Sequence, residues 1–432
     1  MDAEFAYLFR HALLREGSYQ LQLPGDRARL HALAFAIIEE VAGGRPAAPR
    51  ALLEETFGKF EGHPTDPFAE ELAMHVQCAE PVTDPRVYLE TRSLYLRRAA
   101  DYAEELQQHP RAESLWRAHA DLVTGVERGE SLRRAADASQ RASRTQVAGL
   151  LFHRALDEFR AAGDRRLESL AVAQIAGNHR LCGRPAEAES AFREAIHLQK
   201  IAPDTAVKAL TLINLASLLR ETGRTHEALR LGQQALRLHR QLGDRRGEAM
   251  GLSNLAVAQL EQGDAAAAER TVRRAITIHR SGGHLQALPG ALSNLAAVVS
   301  SRGKHAEADR LLTEALALNR QAGNRRSEGI TLGNLGVLDG ERGDWAAAKR
   351  NLEAALVLHR ELGNRRFEGI HTCTHALVLL SLGGANPARE SWRAGAAILR
   401  ALGDATASAR KTQEMRVACS KAGVPPFDED PA

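Results

Sequence analysis

Glycine returns every 40 residues through the C-terminal two-thirds of this 432-residue chain, at Gly183, Gly223, Gly263, Gly303, Gly343 and Gly383. A second series lies half a period away, at Gly163, Gly243, Gly283, Gly323, Gly363 and Gly403, broken only by Pro203. Glycine takes up the left-handed conformation that follows a helix end without steric cost, so two interleaved series predict two helices per repeat. A helical hairpin of this size can cover its apolar face only by stacking on a neighbour, which predicts a solenoid. Such a fold presents a long surface, and recognition is expected ahead of catalysis.

Composition agrees with closely packed helices. The hydrophobic fraction is 44% but only 4% of residues are aromatic, so Ala and Leu must fill most of the core. Of the 19 aromatic residues, 11 fall between Phe5 and Tyr102, which marks residues 1–92 as a distinct N-terminal region. The net charge of +3 creates no global field for nucleic acid or anionic lipid, and neither is expected as a partner. Only seven of the 57 basic residues are lysine, an arginine excess that follows genomic composition unless some of these residues recognise carboxylates. No stretch is long and apolar enough to span a bilayer, and Met1-Asp2-Ala3-Glu4 is acidic where a secretion signal would be basic. Cys78, Cys182, Cys373 and Cys419 show neither metal-binding nor disulfide spacing. A cytoplasmic location is expected.

Within one unit, helix A is expected from Ala206 to Thr222 and helix B from His226 to Leu242. Asp244 then caps the next helix A through its side-chain oxygen, as Asp164, Asn324, Asn364 and Asp404 do at equivalent places. Small residues recur where helices must approach: Ala176, Ala216, Ala256, Ala296, Gly336 and Ala376 in helix A, and Ala188, Ala228, Ala268, Ala308, Ala348 and Ala388 early in helix B. A third series, Ala195, Ala235, Ala275, Ala315, Ala355 and Gly395, lies seven residues further on. Two weaker units stand upstream, one with Ala136, Ala148 and Ala155 and one with Ala100, Ala112 and His119.

This spacing of small residues, with Leu before the first of them in most of the stronger units, resembles the tetratricopeptide repeat. The resemblance implies an all-α, right-handed superhelix of about eight hairpins over 93–404, with a capping helix at 405–424 and a disordered tail from Pro425 to Ala432. The usual Trp and Tyr of helix A are missing, and Gly-Asp/Asn-Arg-Arg replaces the usual terminal Pro.

In a tetratricopeptide superhelix the A helices line the concave face. Asn214, Asn254, Asn294 and Asn334 hold one helix-A position in four successive repeats, each immediately before Leu. Asn is a poor interior helix residue. Its amide both donates and accepts, so it suits an extended peptide backbone of any sequence. The alternative is that each Asn bonds a neighbouring helix and only shapes the superhelix. Arg pairs follow the cap residues at Arg165-Arg166, Arg245-Arg246, Arg325-Arg326 and Arg365-Arg366, each with Glu two residues later. They can act as surface ion pairs, or one Arg of each can grip a carboxylate at the groove rim.

These 40-residue repeats resemble those of Pins/LGN-type adaptors, a likeness implying that Asn214, Asn254, Asn294 and Asn334, with Arg246, Arg326 and Arg366, hold extended, acidic partner segments. The GoLoco motifs of that family are absent. The groove positions lack the Lys of a carboxylate-clamp domain, which argues against chaperone-tail binding. His284-Leu285-Gln286 and Pro289 break the pattern in one unit.

Near the N-terminus, Phe9-Arg10-His11-Ala12-Leu13, Tyr19, Arg29-Leu30-His31, Glu71-Leu72-Ala73-Met74-His75 and Leu96-Arg97-Arg98-Ala99-Ala100 resemble the segment after the ATPase module of bacterial STAND-type regulators. No GxxxxGK[ST] phosphate loop occurs in the chain. The resemblance implies a sensor arm without its motor, whose partner is a separate ATPase or kinase.

No cofactor is expected. His371 and His375 are four apart on a helix, but no third metal ligand is evident and no metal site is expected. His239, His279 and His359 recur late in helix B and are expected to be half-exposed packing residues. No catalytic constellation is found. The expected function is a protein- or peptide-binding adaptor in bacterial signalling, the alternative being a regulator arm that senses a small molecule.

Overall fold

The computed structural model describes residues 22–47, 60–283 and 287–428, and every regular element among them is helical. The chain divides by packing into two units, residues 1–163 and 164–432. The boundary expected after residue 92 falls inside a long helix, because the aromatic-rich region and the first hairpin share one core.

In the first unit, α1 spans Pro24–Val41, α2 Ala69–Cys78 and α3 Pro85–Glu105. Then follow α4 (His109–Ala120), α5 (Gly125–Arg141) and α6 (Thr145–Ala161). Helix α3 pairs with α4 and α5 with α6, the two upstream hairpins expected from Ala100 and Ala136. The aromatic residues do the packing here, with Trp116, Tyr95, Phe152 and Phe159 fully buried. A Cβ at Gly129 would lie 2.6 Å from the Phe159 ring, so the small residue of α5 makes room for the large one of α6. Arg98 of the STAND-like segment is buried against Asp66, with Nε donating to Oδ1 at 2.5 Å and Nη2 to Oδ2 at 2.9 Å.

The second unit contains six hairpins and a final helix. Its elements are α7 (Arg165–Leu181), α8 (Pro185–Ile201), α9 (Thr205–Glu221), α10 (Thr225–Gln241), α11 (Arg245–Glu261) and α12 (Ala265–Ser281). They continue with α13 (Leu288–Ser300), α14 (His305–Gln321), α15 (Arg325–Glu341), α16 (Trp345–Glu361), α17 (Arg365–Ser381), α18 (Ala385–Ala401) and α19 (Ala405–Ala422). The odd-numbered helices are the A helices and the even-numbered ones the B helices.

Sequence dictates each start and stop. Both glycine series adopt positive φ, between +59° at Gly363 and +87° at Gly383, as a left-handed helix end requires. Asp164, Asp244, Asn324 and Asp404 each accept a backbone N–H from three residues ahead at 2.9–3.0 Å. Asn364 departs from the expected capping. Its Oδ1 accepts from Arg326 at 3.1 Å and its amide nitrogen faces His359, so no side-chain cap remains for α17. Helix α13 begins late because Pro289 holds its first turn; residues 284–286, which break the pattern, lie outside the described residues.

The small residues mark the tight crossings. Ala188, Ala195, Ala256, Ala268, Ala275, Ala308, Ala315, Ala348, Ala355, Ala376 and Ala388 are all fully buried. At Gly395 an added Cβ would come within 2.8 Å of the backbone nitrogen of Cys373, and only glycine continues the series there. Residues 425–428 of the expected disordered tail instead pack on the fold, and residues 429–432 lie outside the described residues. Phe427 is buried against the last core cluster, its N–H 3.2 Å from the Met415 sulfur, and Arg416 pairs with Asp428 at 2.8 Å. One aromatic residue provides the apolar area that holds this segment down.

No described helix is long and apolar enough to cross a membrane.

Candidate functional site

On each A helix of the second unit, side chains three apart share a face. Asn214 with Ser217, Asn254 with Val257, Asn294 with Ala297, and Asn334 with Val337 all stay partly exposed while the residues following each Asn are largely buried. Successive A helices pack side by side, so these turns form one stripe across the unit. The Asn254 amide donates to Ser217 Oγ of the preceding A helix at 3.2 Å, which ties neighbouring rungs together. Asn214, Asn294 and Asn334 form no hydrogen bond to another described residue through their side chains. Gln174 and Thr374 occupy the same register at either end, polar positions that a search for repeated Asn passes over. Thr374 is buried and accepts from Lys411 Nζ at 2.8 Å, so α19 closes the stripe at that end.

A hollow beside Asn254 is lined by Ile213, Ala216, Ser217, Gly232 and Leu255 among others, without an aromatic side chain.

The two arginines of each pair divide their roles. In three pairs the first makes a local ion pair, Arg165 with Glu168 at 2.6 Å, Arg245 with Glu248 at 2.8 Å and Arg365 with Glu368 at 2.6 Å, whereas Arg325 reaches Glu361 at 2.7 Å. The second reaches the cap residue of the next A helix. Arg166 contacts Asp204 at 3.3 Å, Arg326 contacts Asn364 at 3.1 Å and Arg366 contacts Asp404 at 2.7 Å. Arg246 is exposed and forms no ion pair with another described residue, and residue 284 at the equivalent cap lies outside the described residues.

Arg326 differs electrostatically from its repeats. Burial, then the nearby Arg180, lower its guanidinium pKa, and its partner Asn364 is neutral. Arg366 lies 3.8 Å from Glu221 of α9 as well as against Asp404. For Glu221, burial alone would raise the carboxyl pKa, but Arg180, Arg366 and Arg220 together pull it below the ordinary range. Sequence spacing could not reveal this meeting of α9 with α17.

The late-helix-B histidines are not half-exposed. His239, His279 and His359 are buried. His239 Nδ1 lies 2.9 Å from Asp244 Oδ2, and His359 Nε2 lies 2.9 Å from His371 Nδ1. His239 thus ties the end of helix B to the following turn, and His359 ties it to the next A helix. His371 is engaged inside the core, and His375 faces Glu353 at 3.7 Å.

The C-terminal repeats match a family model described as the MalT-like TPR region, over residues 160–417. No curated protein matches the sequence significantly. Among solved structures the fold is similar to that of a Rap protein complexed with competence and sporulation factor. That match has 13% identity, 87% coverage of this chain, 99% of the other and a TM-score of 0.61. Aspartyl phosphate phosphatase F from Bacillus subtilis matches at 14% identity, covering 77% and 89% of the two chains with a TM-score of 0.52. The quorum sensor NprR from B. thuringiensis in its apo form matches at 14% identity, covering 76% and 93% with a TM-score of 0.51. The register of helices, small residues and turns across 160–417 and the match of the family model to the same residues lead to one assignment: the chain belongs to the MalT-like TPR region family.

Proposed function

We propose that this protein is a binding module that holds an extended segment of a partner protein along the asparagine stripe of its second unit. The observation that carries this reading is the set of half-buried amides of Asn214, Asn294 and Asn334, in register and without a hydrogen-bond partner among the described residues. No atom of these amides is sealed from solvent, so the N–H and C=O groups of an extended peptide can take the place of water on each. The Rap protein that shares this fold was solved with competence and sporulation factor bound, which supports a ligand-holding role for such an array. Signalling is the process this reading favours. Exposed Arg246 suits partners with acidic side chains.

The alternative, a sensor arm for a small molecule, asks for an enclosed pocket with an aromatic lining. The hollows of the second unit described here have aliphatic, small and charged linings.

The test starts with a segment recovered by affinity capture and identified by mass spectrometry. Its affinity is then compared between wild type and the Asn214→Ala, Asn294→Ala, Asn334→Ala triple variant. A loss of about 1 kcal/mol per amide, with the melting curve unchanged, is expected. Unchanged affinity would sink the reading, and a melt far below wild type would show the amides to be structural.

A further inference from the structure

The second unit returns on itself. Leu402, in the turn after α18, packs against Gly183, where an added Cβ would clash with its side chain, and Gly403 lies against Pro185. Beside this contact is a hollow lined by Arg180, Leu218, Glu221, Thr222, Arg366 and Asp404 among others.

Its charged groups are unevenly paired. Glu221 accepts from Arg180 at 2.9 Å and lies 3.8 Å from both Arg366 and Arg220. Arg220 turns to Glu261 at 2.7 Å, and Arg366 to Asp404 at 2.7 Å. Asp404 is already committed, since its other oxygen caps α19. Arg326, close enough to Arg180 for the two to repel, has only the neutral Asn364. The Nε of Arg180 is buried without a hydrogen-bond partner. Arg180 and Arg366 therefore flank Glu221 from two helices, Arg326 stands near Arg180 without a carboxylate, and the Arg180 Nε is unused.

We propose that this cluster is a carboxylate-binding site for an acidic side chain of the bound segment, and that Glu221 fills it here as an internal substitute. The proposal rests on the peptide-binding reading above. The planar forks of Arg180 and Arg366 approach from different helices, so one carboxylate can take a charge-assisted bond from each. A ligand carboxylate must displace Glu221 or share its arginines, so the chain's own residue sets a threshold against weakly acidic segments.

The probe is a fluorescent hexaglutamate peptide, titrated by anisotropy at low salt into the full chain. Glu221→Gln removes the internal competitor and should tighten binding by roughly tenfold, the scale of one charge-assisted hydrogen bond. Glu261→Gln removes the same charge from the outer pair with Arg220 and should give a much smaller gain. Adding Arg180→Gln to Glu221→Gln should abolish the gain. Equal gains in Glu221→Gln and Glu261→Gln would overturn the proposal, because net charge alone would then explain them. If Glu221→Gln loses its cooperative melt, single changes in the wild-type background decide. Arg180→Gln must weaken the probe several-fold and the exposed, remote Arg230→Gln must not; equal binding by both overturns the site. Weakened binding in the asparagine triple variant without a gain in Glu221→Gln would leave the peptide reading standing and remove only this site.

Discussion

The hydroxyl of Thr406 donates to the backbone carbonyl of Arg220 at 2.6 Å, across 186 residues of chain. The start of α19 thereby adds a second hydrogen bond to a carbonyl in the last turn of α9, which also accepts the Gly223 N–H at 3.1 Å. Thr406→Ala should lower the stability of the second unit by about 1 kcal/mol. Hydrogen exchange should speed up in the turn around Gly223 and at the start of α19 and stay unchanged near Gly303. Uniform loosening of every repeat would show that the contact is not local to this closure.

Two glycines in adjacent registers of helix A should respond in opposite directions. An added Cβ at Gly336 would sit 2.7 Å from Leu352 Cγ and 3.0 Å from the Ala348 carbonyl oxygen. Gly336→Ala should cost roughly 1–3 kcal/mol through overpacking. At Gly177, one position past Ala176 on the corresponding helix, an added Cβ meets nothing within 4 Å. Gly177→Ala should stabilise by about 0.5–1 kcal/mol by restricting the unfolded chain. Urea denaturation of both variants against wild type measures the difference.

Stability should fall as the solution is acidified below neutrality. Burial, then Arg326, pushes the His359 pKa down to about 4, and burial, then His359, holds His371 well below its usual range. In the first unit, burial likewise pushes His119 to about 4. Between about pH 6.5 and 4 the unfolded chain binds protons that the folded one refuses. The stabilisation is therefore complete above 6.5 and is lost as pH falls, by at most about 1.4 kcal/mol per pH unit for each histidine. The preceding repeat carries Asn319 and Thr331 at the equivalent places, bonded at 3.1 Å. The His359→Asn, His371→Thr variant should keep the link between helices and flatten the acid limb of the urea midpoint plotted against pH.

The second arginines should separate by role. Arg246→Gln, at an exposed site, should change stability by about 0.5 kcal/mol or less. Arg366→Gln deprives buried Asp404 of its bond and should cost roughly 2 kcal/mol. Binding of a recovered acidic segment should lose salt dependence in the Arg246, Arg326 and Arg366 triple variant, because screening acts over about 10 Å at 0.1 M salt. Identical salt slopes for wild type and variant would assign these arginines to the turns alone.

Local rules made the repeat legible. Left-handed turns need glycine, helix starts need a side-chain acceptor and tight crossings need Ala, so Gly183, Asp244 and Ala228 each declared their structural roles one residue at a time. The capping helix expected over 405–424 corresponds to α19, Ala405–Ala422, and the asparagine register is visible because it repeats with the helices. Chemistry that depends on distance was not legible. Nothing near Glu221 in sequence points to Arg366, and nothing near Arg220 points to Thr406, because that pairing arises only after successive small rotations between repeats have accumulated. The same holds for Phe427, whose burial needs the finished surface of α19, and for Asn364, drawn from its cap by Arg326 and His359. Short-range sterics and hydrogen bonding set the hairpins from sequence alone. Which charges share a site depends on how the stack turns, and only the tertiary structure decides that.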